Sequence, residues 1–296
     1  MSFKSLIQDL RGVRISNISN SKLSTEALLI DQIYHPIDGD MKQLIYKYAE
    51  ENDFIQKFKN IVIGEISNFT ENKSVTHYKY KERIEESFIK DQTEIIALAD
   101  KIKKNYKRVF IFSIGGSNLG PVLMNDIFKK DDFNIIFITG SDPDEYSDIK
   151  VQDGDALVIS SKSFGTLETL SSYKEVCGND FFEQTYAITA DANRAKDFGV
   201  HEKNIISFNS STGGRFSIWS PINLALCLLE GDQGYKDFLR GGKDMDDTCL
   251  NNPENNPAFQ LSVQDIIYNN ILDAETTLVV NYDYKLRNFI SFAQQV

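Results

Sequence analysis

The sequence predicts an α/β protein built on a doubly wound, five-stranded parallel sheet. Short runs rich in β-branched and aromatic residues recur along the middle of the chain, helical segments separate them, and turns rich in Gly or Ser follow several of them. This alternation requires crossover connections, which produce a parallel sheet covered by helices on both faces. A helical N-terminal layer and an incomplete second α/β subdomain complete the predicted architecture.

Residues 1–85 form the first predicted domain, a layer of helices. This part is polar and poor in glycine, and its apolar residues recur at helical spacing. Met41–Phe58 is predicted as one amphipathic helix, with Asp40 as a suitable N-cap. His35 and His77 have no evident partner in the sequence, so we expect surface or capping roles for both.

Residues 86–245 form the second predicted domain, which contains the sheet. Its first helix is predicted over Phe88–Lys104, with an inner face formed by residues at helical spacing, Ile95, Leu98, Ala99 and Ile102. The predicted strands are short apolar runs, namely Val109–Ser113, Asn134–Thr139, Ala156–Ser160, Thr185–Thr189 and Asn204–Phe208. The predicted helices that connect or follow them cover 120–129, 143–149, 167–177, 191–198 and 218–230.

The stretch from Ser160 to Thr169, S-S-K-S-F-G-T-L-E-T, joins the end of a predicted strand to the start of a helix. It combines backbone N–H groups at a helix N-terminus, several hydroxyls and the ammonium group of Lys162, which are the groups that bind a phosphate monoester. Alternatively, its Ser and Thr residues serve only as caps and turn formers. This turn alone does not decide between the two.

Two further loops follow predicted strands at the same edge of the sheet, where ligands of such sheets bind. Ile114–Pro121, I-G-G-S-N-L-G-P, has glycines that let the backbone turn sharply and approach a ligand, or that simply form a tight turn. Its spacing matches neither the dinucleotide fingerprint nor the P-loop, which weakens a third interpretation, a nucleotide-binding oxidoreductase. Ser211–Pro221 carries Arg215, whose guanidinium either stabilises an oxyanion or clamps a buried carboxylate.

Composition narrows the classes of partner and the compartment. The 296 residues include 32 basic and 43 acidic side chains, a net charge of -11, which argues against a nucleic-acid or anionic-membrane surface. No export signal is evident, and no apolar run approaches the roughly 20 residues that cross a bilayer. Three cysteines without metal-ligand spacing are typical of a reducing cytosol, so we expect a cytoplasmic protein.

The three loops, in this order, resemble those of the glucose-6-phosphate isomerase (phosphoglucose isomerase) family, whose sheet is of the flavodoxin-like sugar-isomerase (SIS) type. S-K-S-F-G-T-L-E-T resembles the family's phosphate loop, S-K-T-F-T-T-x-E-T, and G-G-R-F-S resembles its G-G-R-[FY]-S signature. Gly234–Pro257 and Tyr282–Gln295 resemble later segments of the family, so the resemblance covers about 105–296.

The resemblance implies interconversion of glucose 6-phosphate and fructose 6-phosphate through a cis-enediol(ate), in glycolysis and gluconeogenesis, without a metal or organic cofactor. It implies that Arg215 stabilises the enediolate and that loop residues bind the substrate, namely Gly116, Ser117, Ser161, Lys162, Ser163, Phe164, Gly165 and Thr166. Family members are usually homodimers with shared sites. The alternative is a non-catalytic phosphosugar-binding protein of the same superfamily.

Some positions depart from the family pattern. Ser163 stands where the phosphate loop usually has Thr, which keeps the hydroxyl, and Gly165 stands where a second Thr is usual, which removes one. The N-terminal region lacks the family's stretch N-x-T-E-x-R-A-V-L-H, with at best a remnant over Asn72–Thr76. The missing N-terminal stretch affects the expected contacts of the helical layer more than the phosphate site.

The family's catalytic base, a Glu in an M-E-S-N-G-K motif, would fall just after Val296, and no carboxylate of the sequence matches its role. Residues 246–296 are therefore predicted to be the incomplete start of a second SIS subdomain. They contain a predicted buried strand over Thr276–Asn281 and a predicted amphipathic helix over Leu286–Phe292. We expect the chain to be a truncated isomerase that lacks the base.

Overall fold

The computed structural model describes residues 1–14, 22–25, 28–32, 35–62, 67–68, 72–130, 133–140, 142–178 and 182–296. The chain divides into two compact units. The first consists of Met1–Ser67 and Gly242–Val279, and the second consists of Asn68–Gly241 and Val280–Val296. The predicted domains, with boundaries after residues 85 and 245, stay predictions.

The α-helices of the described ranges are α1 (Phe3–Gly12), α2 (Gly39–Glu51), α3 (Phe54–Val62), α4 (Lys79–Glu82), α5 (Glu86–Asn105), α6 (Leu119–Phe128), α7 (Leu167–Cys177), α8 (Ala192–Phe198), α9 (Leu224–Cys249), α10 (Pro257–Asn270) and α11 (Phe289–Gln295). Among these helices, none combines the length and the apolar character needed to cross a membrane. The strands are β1 (Lys22–Ser24), β2 (Leu29–Asp31), β3 (Ser67–Asn68), β4 (Lys73–Ser74), β5 (Arg108–Phe112), β6 (Asn134–Ile138), β7 (Asp155–Ser160), β8 (Thr185–Thr189) and β9 (Ile205–Ser207).

The second unit contains a five-stranded sheet with the order β6-β5-β7-β8-β9, in which every pair of neighbours is parallel. Phe112 of β5 lies opposite Ile138 on one side and Ile159 on the other. The predicted doubly wound parallel sheet is confirmed, and each of the five strands predicted for this sheet forms within one residue of its predicted limits. The strand order reverses between β5 and β7, and the carboxyl ends of strands at such a point flank a crevice.

Alternate residues of the central strands face two apolar layers, as expected for a sheet covered on both faces. Val109 and Ile111 of β5 belong to one layer, and Phe110 and Phe112 belong to the other. Helix α5 packs in the first layer through its predicted inner face, all of it buried: Ile95, Leu98, Ala99 and Ile102. The sheet is thereby fixed from both sides, and its loops extend from a rigid base.

The first unit has its own apolar core, formed by residues of α1, α2 and α10 that include Leu6, Leu10, Met41, Ile45, Val263 and Ile267. The single helix predicted over Met41–Phe58 is wrong, because the left-handed backbone of Asp53, with a φ of 52°, separates α2 from α3. The N-cap of α2 is Asp38, whose carboxylate accepts a hydrogen bond from the N–H of Asp40 at 2.8 Å. The prediction of Asp40 as the cap is therefore also wrong.

Two predicted helices of the second unit are shorter or displaced. Over 143–149 only the 3-10 turn Pro143–Glu145 forms, because the short segment P-D-E-Y-S-D-I is rich in Asp and Ser, which favour turns over helix interiors. Two 3-10 segments, Gly214–Trp219 and Pro221–Asn223, replace the start of the helix predicted over 218–230. Helix α9 then breaks at Gly231, whose φ is 67°.

The predicted strand over Thr276–Asn281 does not form. The segment is irregular and Leu278 is 85% exposed, since among the described residues no neighbouring strand pairs with it. The helix predicted over Leu286–Phe292 is displaced, because a 3-10 turn at Tyr284–Leu286 precedes α11.

The corrected N-cap gives a direct test. We expect Asp38→Ala to lower the free energy of unfolding by about 1 kcal/mol, because the Asp40 N–H loses its acceptor. Asp40→Ala is the matched control and should change the free energy by less than about 0.5 kcal/mol. Urea unfolding followed by circular dichroism measures both, and a larger loss in Asp40→Ala would contradict the assignment.

Candidate functional site

The first glycine loop follows β5, which lies between β6 and β7 in the sheet. Gly115 has a φ of 58°, a left-handed backbone that favours glycine, and it opens the 3-10 turn Gly115–Ser117. The hydroxyl of Ser113 donates to Oδ1 of Asn118 at 3.0 Å, which closes the turn before α6 begins. Ser117 is buried within the turn.

The loop that carries Arg215 packs directly on the first glycine loop, backbone against backbone. A Cβ built on Gly116 would lie 2.3 Å from the carbonyl oxygen of Gly214 and 2.9 Å from the backbone nitrogen of Arg215. The hydroxyl of Ser217 donates to the carbonyl oxygen of Gly116 at 2.8 Å. Position 116 therefore has to be glycine for the two loops to meet in this way.

The loop after β7 is fixed to the neighbouring strand by its backbone. The N–H of Ser161 donates to the carbonyl of Ile188 at 3.1 Å, and the carbonyl of Lys162 accepts from the N–H of Ala190 at 2.9 Å and from the hydroxyl of Thr189 at 3.1 Å.

The ring of Phe164 packs into the apolar core and holds the same loop against it. Phe164 has a left-handed backbone with a φ of 46°, and its buried ring makes an edge contact with Phe198, with centroids 5.7 Å apart. Its side chain thus belongs to the core, and a role in ligand binding is left to its backbone.

A cavity of about 190 Å³ lies between the loop after β7 and the first glycine loop. It is lined by Ile114, Gly116, Ser117, Ser160, Ser161, Lys162, Ser163, Thr166, Thr169 and Gly214. All the predicted substrate-binding residues except Phe164 and Gly165 line it. Thr166 is the N-cap residue of α7, but its side chain makes no capping bond, and its Oγ1 lies 3.2 Å from Oγ of Ser161. The helix N-terminus therefore keeps uncapped N–H groups and a positive dipole end at this loop.

A second cavity, of about 390 Å³, contains Arg215. It is lined by Lys73, Ser74, Val75, His77, Gly116, Ser211, Gly213, Gly214, Arg215, Phe216 and Gln295. The two cavities share Gly116 and Gly214. The contact between these glycines therefore brings Lys162 and Arg215 to one rim of the sheet, as the order of the loops predicts.

His77 lines the cavity of Arg215, so the surface or capping role expected for it is wrong. Its ring stacks on that of Phe216, with centroids 4.4 Å apart, and its Nδ1 is buried with no hydrogen-bond partner in the described part of the chain. Burial, with a smaller contribution from the charge of Lys81, lowers the pKa of His77 to about 4. The imidazole is thus neutral near pH 7.

The other histidines have ordinary partners. Nδ1 of His35 lies 3.1 Å from the hydroxyl of Tyr268, and Nε2 of the exposed His201 lies 2.8 Å from Oε1 of Glu183.

A sequence signal for Lys73 and His77 exists, although it is offset from the remnant assigned to Asn72–Thr76. Counted from Asn68, the letters N-F-T-E-N-K-S-V-T-H have the spacing of N-x-T-E-x-R-A-V-L-H, with Lys73 at the Arg position and His77 at the final His. Thr76 Oγ1 lies 2.5 Å from Oγ of Ser211, which ties this segment to the loop of Arg215.

Gln295 reaches the same cavity from the end of the chain. Its Nε2 lies 3.1 Å from where a Cβ of Gly115 would stand. The carboxylate of buried Asp126 on α6 accepts hydrogen bonds from Arg287 and, at 2.5 Å, from Asn288, and these bonds hold α11 beside the first glycine loop. The residue's type and spacing alone gave no reason to include Gln295 in the site.

Gly165 provides room for Arg194. A Cβ at position 165 would lie 2.6 Å from Nη1 of Arg194, and that atom donates to the carbonyl oxygen of Ser163 at 3.2 Å. The guanidinium therefore occupies the space beside the loop that a Thr side chain would enter.

The sequence model of the phosphoglucose isomerase family matches residues 34–111 and 103–296. This match extends further toward the N-terminus than the range of about 105–296 suggested by the three loops. The glucose-6-phosphate isomerase of Stutzerimonas stutzeri is 30% identical over 310 residues, which cover 93% of this chain and 56% of that protein. The glucose-6-phosphate isomerase of Shewanella putrefaciens is 25% identical over 327 residues, which cover 98% and 60% respectively. The chain thus spans 56–60% of the length of these relatives.

Solved structures share the fold. The glucose-6-phosphate isomerase of Chlamydia trachomatis superposes with a TM-score of 0.84 at 19% identity, over 99% of this chain and 64% of that one. A hypothetical protein from Thermus thermophilus superposes with a TM-score of 0.64 at 17% identity, over 83% and 60%. The two-sided α/β architecture around the parallel sheet is therefore shared with known structures.

The contact between the two glycine loops predicts a large difference between neighbouring glycine substitutions. Gly116→Ala should lower the free energy of unfolding by about 2 kcal/mol, because its methyl group would overlap the backbone of Gly214. Gly214→Ala is the matched control, since a Cβ there meets no atom within 4 Å, and should cost less than about 0.5 kcal/mol. Chemical denaturation measures the free energy of unfolding of both variants. Equal decreases would contradict the close contact between Gly116 and Gly214.

The buried imidazole of His77 predicts a dependence of stability on pH. Its folded pKa of about 4 lies below the unfolded value near 6.5, so the unfolded state takes up a proton first as the pH falls. The stability that depends on the neutral imidazole is fully present above pH 6.5. We expect the free energy of unfolding to fall by about 2–3 kcal/mol between pH 6.5 and 4. His77→Gln should flatten this decline, and His201→Gln should not. Identical pH profiles for wild type and His77→Gln would exclude the effect.

Proposed function

Because the chain belongs to the phosphoglucose isomerase family, we propose that it acts in the interconversion of glucose 6-phosphate and fructose 6-phosphate. The observation that carries this proposal is the pair of cavities that share Gly116 and Gly214, one beside Lys162 and the other beside Arg215. A phosphosugar has an anionic group at one end and its reacting carbons at the other. The two cavities suit these two ends.

The phosphate group is bound, in this proposal, by the loop after β7 and the first glycine loop. The hydroxyl donors are Ser117, Ser161, Ser163 and Thr166, and Lys162 adds a positive charge beside the uncapped N-terminus of α7. The phosphate does not react. Its binding energy holds the open-chain sugar in position, which reduces the entropic cost of reaching the transition state.

Arg215 meets the charge that develops during the reaction. When a proton leaves C2 of the aldose, the electrons pass to the carbonyl oxygen at C1 and form an enediolate. A proton then passes from the hydroxyl oxygen at C2 to the oxygen at C1, and protonation of C1 gives the ketose with its carbonyl at C2. Arg215 is exposed toward its cavity and has no ion pair with the described residues, so its guanidinium can donate to that oxygen. Its stabilisation is greatest when the negative charge is present, which lowers the barrier.

We assign no base for the proton transfer among the described residues, because neither cavity is lined by Asp or Glu. Glu168 is exposed on the first turn of α7 and lines neither cavity. The roles proposed for this chain are therefore phosphate binding, orientation of the sugar and stabilisation of the enediolate. Gln295 and the neutral His77 add uncharged polar groups to the wall of the Arg215 cavity.

We also propose that the protein is cytoplasmic and that it forms a homodimer. Cys177, Cys227 and Cys249 are reduced cysteines rather than halves of disulfides, as is usual in a reducing compartment. Exposed Tyr282 and Tyr284 offer apolar surface for a second subunit. Sedimentation velocity tests the dimer, and a monomer at high micromolar concentration would remove that part of the proposal.

The proposed roles predict that two substitutions have different effects on binding. The two test ligands are inorganic phosphate and 6-phosphogluconate. The second is a sugar phosphate whose C1 carboxylate carries negative charge near the position of the enediolate oxygen. Arg215→Ala should weaken 6-phosphogluconate at least about tenfold and leave inorganic phosphate nearly unchanged, because only the sugar acid reaches the guanidinium. Lys162→Ala should weaken both ligands. Isothermal titration calorimetry measures each affinity.

Arg215→Lys keeps the charge without the planar fork and serves as the conservative control. A coupled isomerase assay on the same proteins separates catalysis from binding. Where turnover is present, Arg215→Ala should reduce kcat by about 10²–10³. Tight binding of glucose 6-phosphate without turnover would instead favour the non-catalytic phosphosugar-binding alternative. Failure to bind any phosphosugar would overturn the proposal.

A further inference from the structure

Ser160 and Thr169 line the phosphate cavity but are absent from the set of predicted binding residues. Ser160 is 1% exposed and Thr169 is 3% exposed. Neither side-chain hydroxyl has a hydrogen-bond partner in the described part of the chain. Leaving a hydroxyl buried and unpartnered costs roughly 1–3 kcal/mol, so two of them in one cavity require an explanation.

The two residues lie at opposite ends of the loop after β7. Ser160 is the last residue of β7, where its backbone pairs with that of Ile188, and Thr169 lies in the first turn of α7. Both residues are buried within regular secondary structure, in contrast to the exposed Ser163 within the loop. The positions of their hydroxyls in the cavity wall therefore do not depend on the conformation of the loop.

Thr169 differs from its neighbour on the same helix. The hydroxyl of buried Ser172 donates to the carbonyl oxygen of Thr169 at 3.2 Å, which satisfies it within the helix. The hydroxyl of Thr169 makes no such bond. Burial on α7 does not by itself leave a hydroxyl unpaired, so the cavity is the feature that distinguishes Thr169.

We propose that Ser160 and Thr169 form the floor of the phosphate site and that each donates a hydrogen bond to a phosphate oxygen. This inference rests on the phosphate-binding part of the proposed function. The cavity volume of about 190 Å³ is several times the roughly 30 Å³ of a water molecule and accommodates a phosphate group. The two floor hydroxyls also offset the hydroxyl that is missing at Gly165.

The test compares Ser160→Ala and Thr169→Val with the control Ser172→Ala. Affinities for inorganic phosphate and glucose 6-phosphate are measured by calorimetry in a phosphate-free buffer, and melting temperatures are measured without ligand. We expect each floor variant to bind both ligands about tenfold more weakly, because a hydrogen bond to a charged group is lost. The melting temperature without ligand should be unchanged or higher, since no protein hydrogen bond is removed.

Ser172→Ala should show the reverse pattern, with a lower melting temperature and unchanged affinities. Wild-type affinity for phosphate in both floor variants would overturn the inference, as would a loss of stability without a loss of affinity. If wild type binds inorganic phosphate and glucose 6-phosphate equally, the sugar specificity in the proposed function fails. Weaker phosphate binding by the floor variants would still support the inference in that case. If wild type binds neither ligand, both fail.

Discussion

The candidate site depends on a close approach between two stretches of backbone. Because Gly116 has no side chain, the carbonyl oxygen of Gly214 occupies the space where a Cβ would stand, and Ser217 donates a hydrogen bond across the same contact. A contact between backbones leaves no side-chain rotamer free to adjust, so it fixes the separation of the two loops within narrow limits. Arg215 follows Gly214 directly and is therefore held at a defined distance from the wall of the phosphate cavity.

The topology of the sheet explains why the loops meet at all. The sheet begins at β5, continues to β6 on one side and then to β7 on the other side, so the loops after the adjacent strands β5 and β7 lead away in opposite directions. The crevice between them is the smaller cavity. The loop of Arg215 comes from the edge strand β9 and reaches this crevice only by packing on the first glycine loop.

The strands were predictable because each is a short run rich in apolar residues, and β5, β7 and β8 are buried on both faces. The loops were predictable from their glycines and hydroxyls. Features set by distant contacts were not. The left-handed backbone of Asp53 splits a helix whose apolar spacing continues across it. The contact between Gly116 and Gly214 joins positions far apart in sequence. The neutrality of His77 arises from burial against Phe216, which the sequence around it does not reveal.

The glycine at position 165 shows how a loss in the sequence is compensated in the structure. A loop that lacks one hydroxyl has one donor fewer for an anion, but the missing side chain also leaves space, and Arg194 from α8 fills it. Its guanidinium donates to the carbonyl of Ser163, which satisfies that polar group and adds positive charge at the outer side of the loop. Asp191 lies 3.3 Å from Nε of Arg194 and weakens this charge. Three potential donors beside the loop are thus carried by regular elements: Ser160 by β7, Thr169 by α7 and Arg194 by α8. These elements pack in the same apolar layer of the sheet, which holds the donors in position without a ligand.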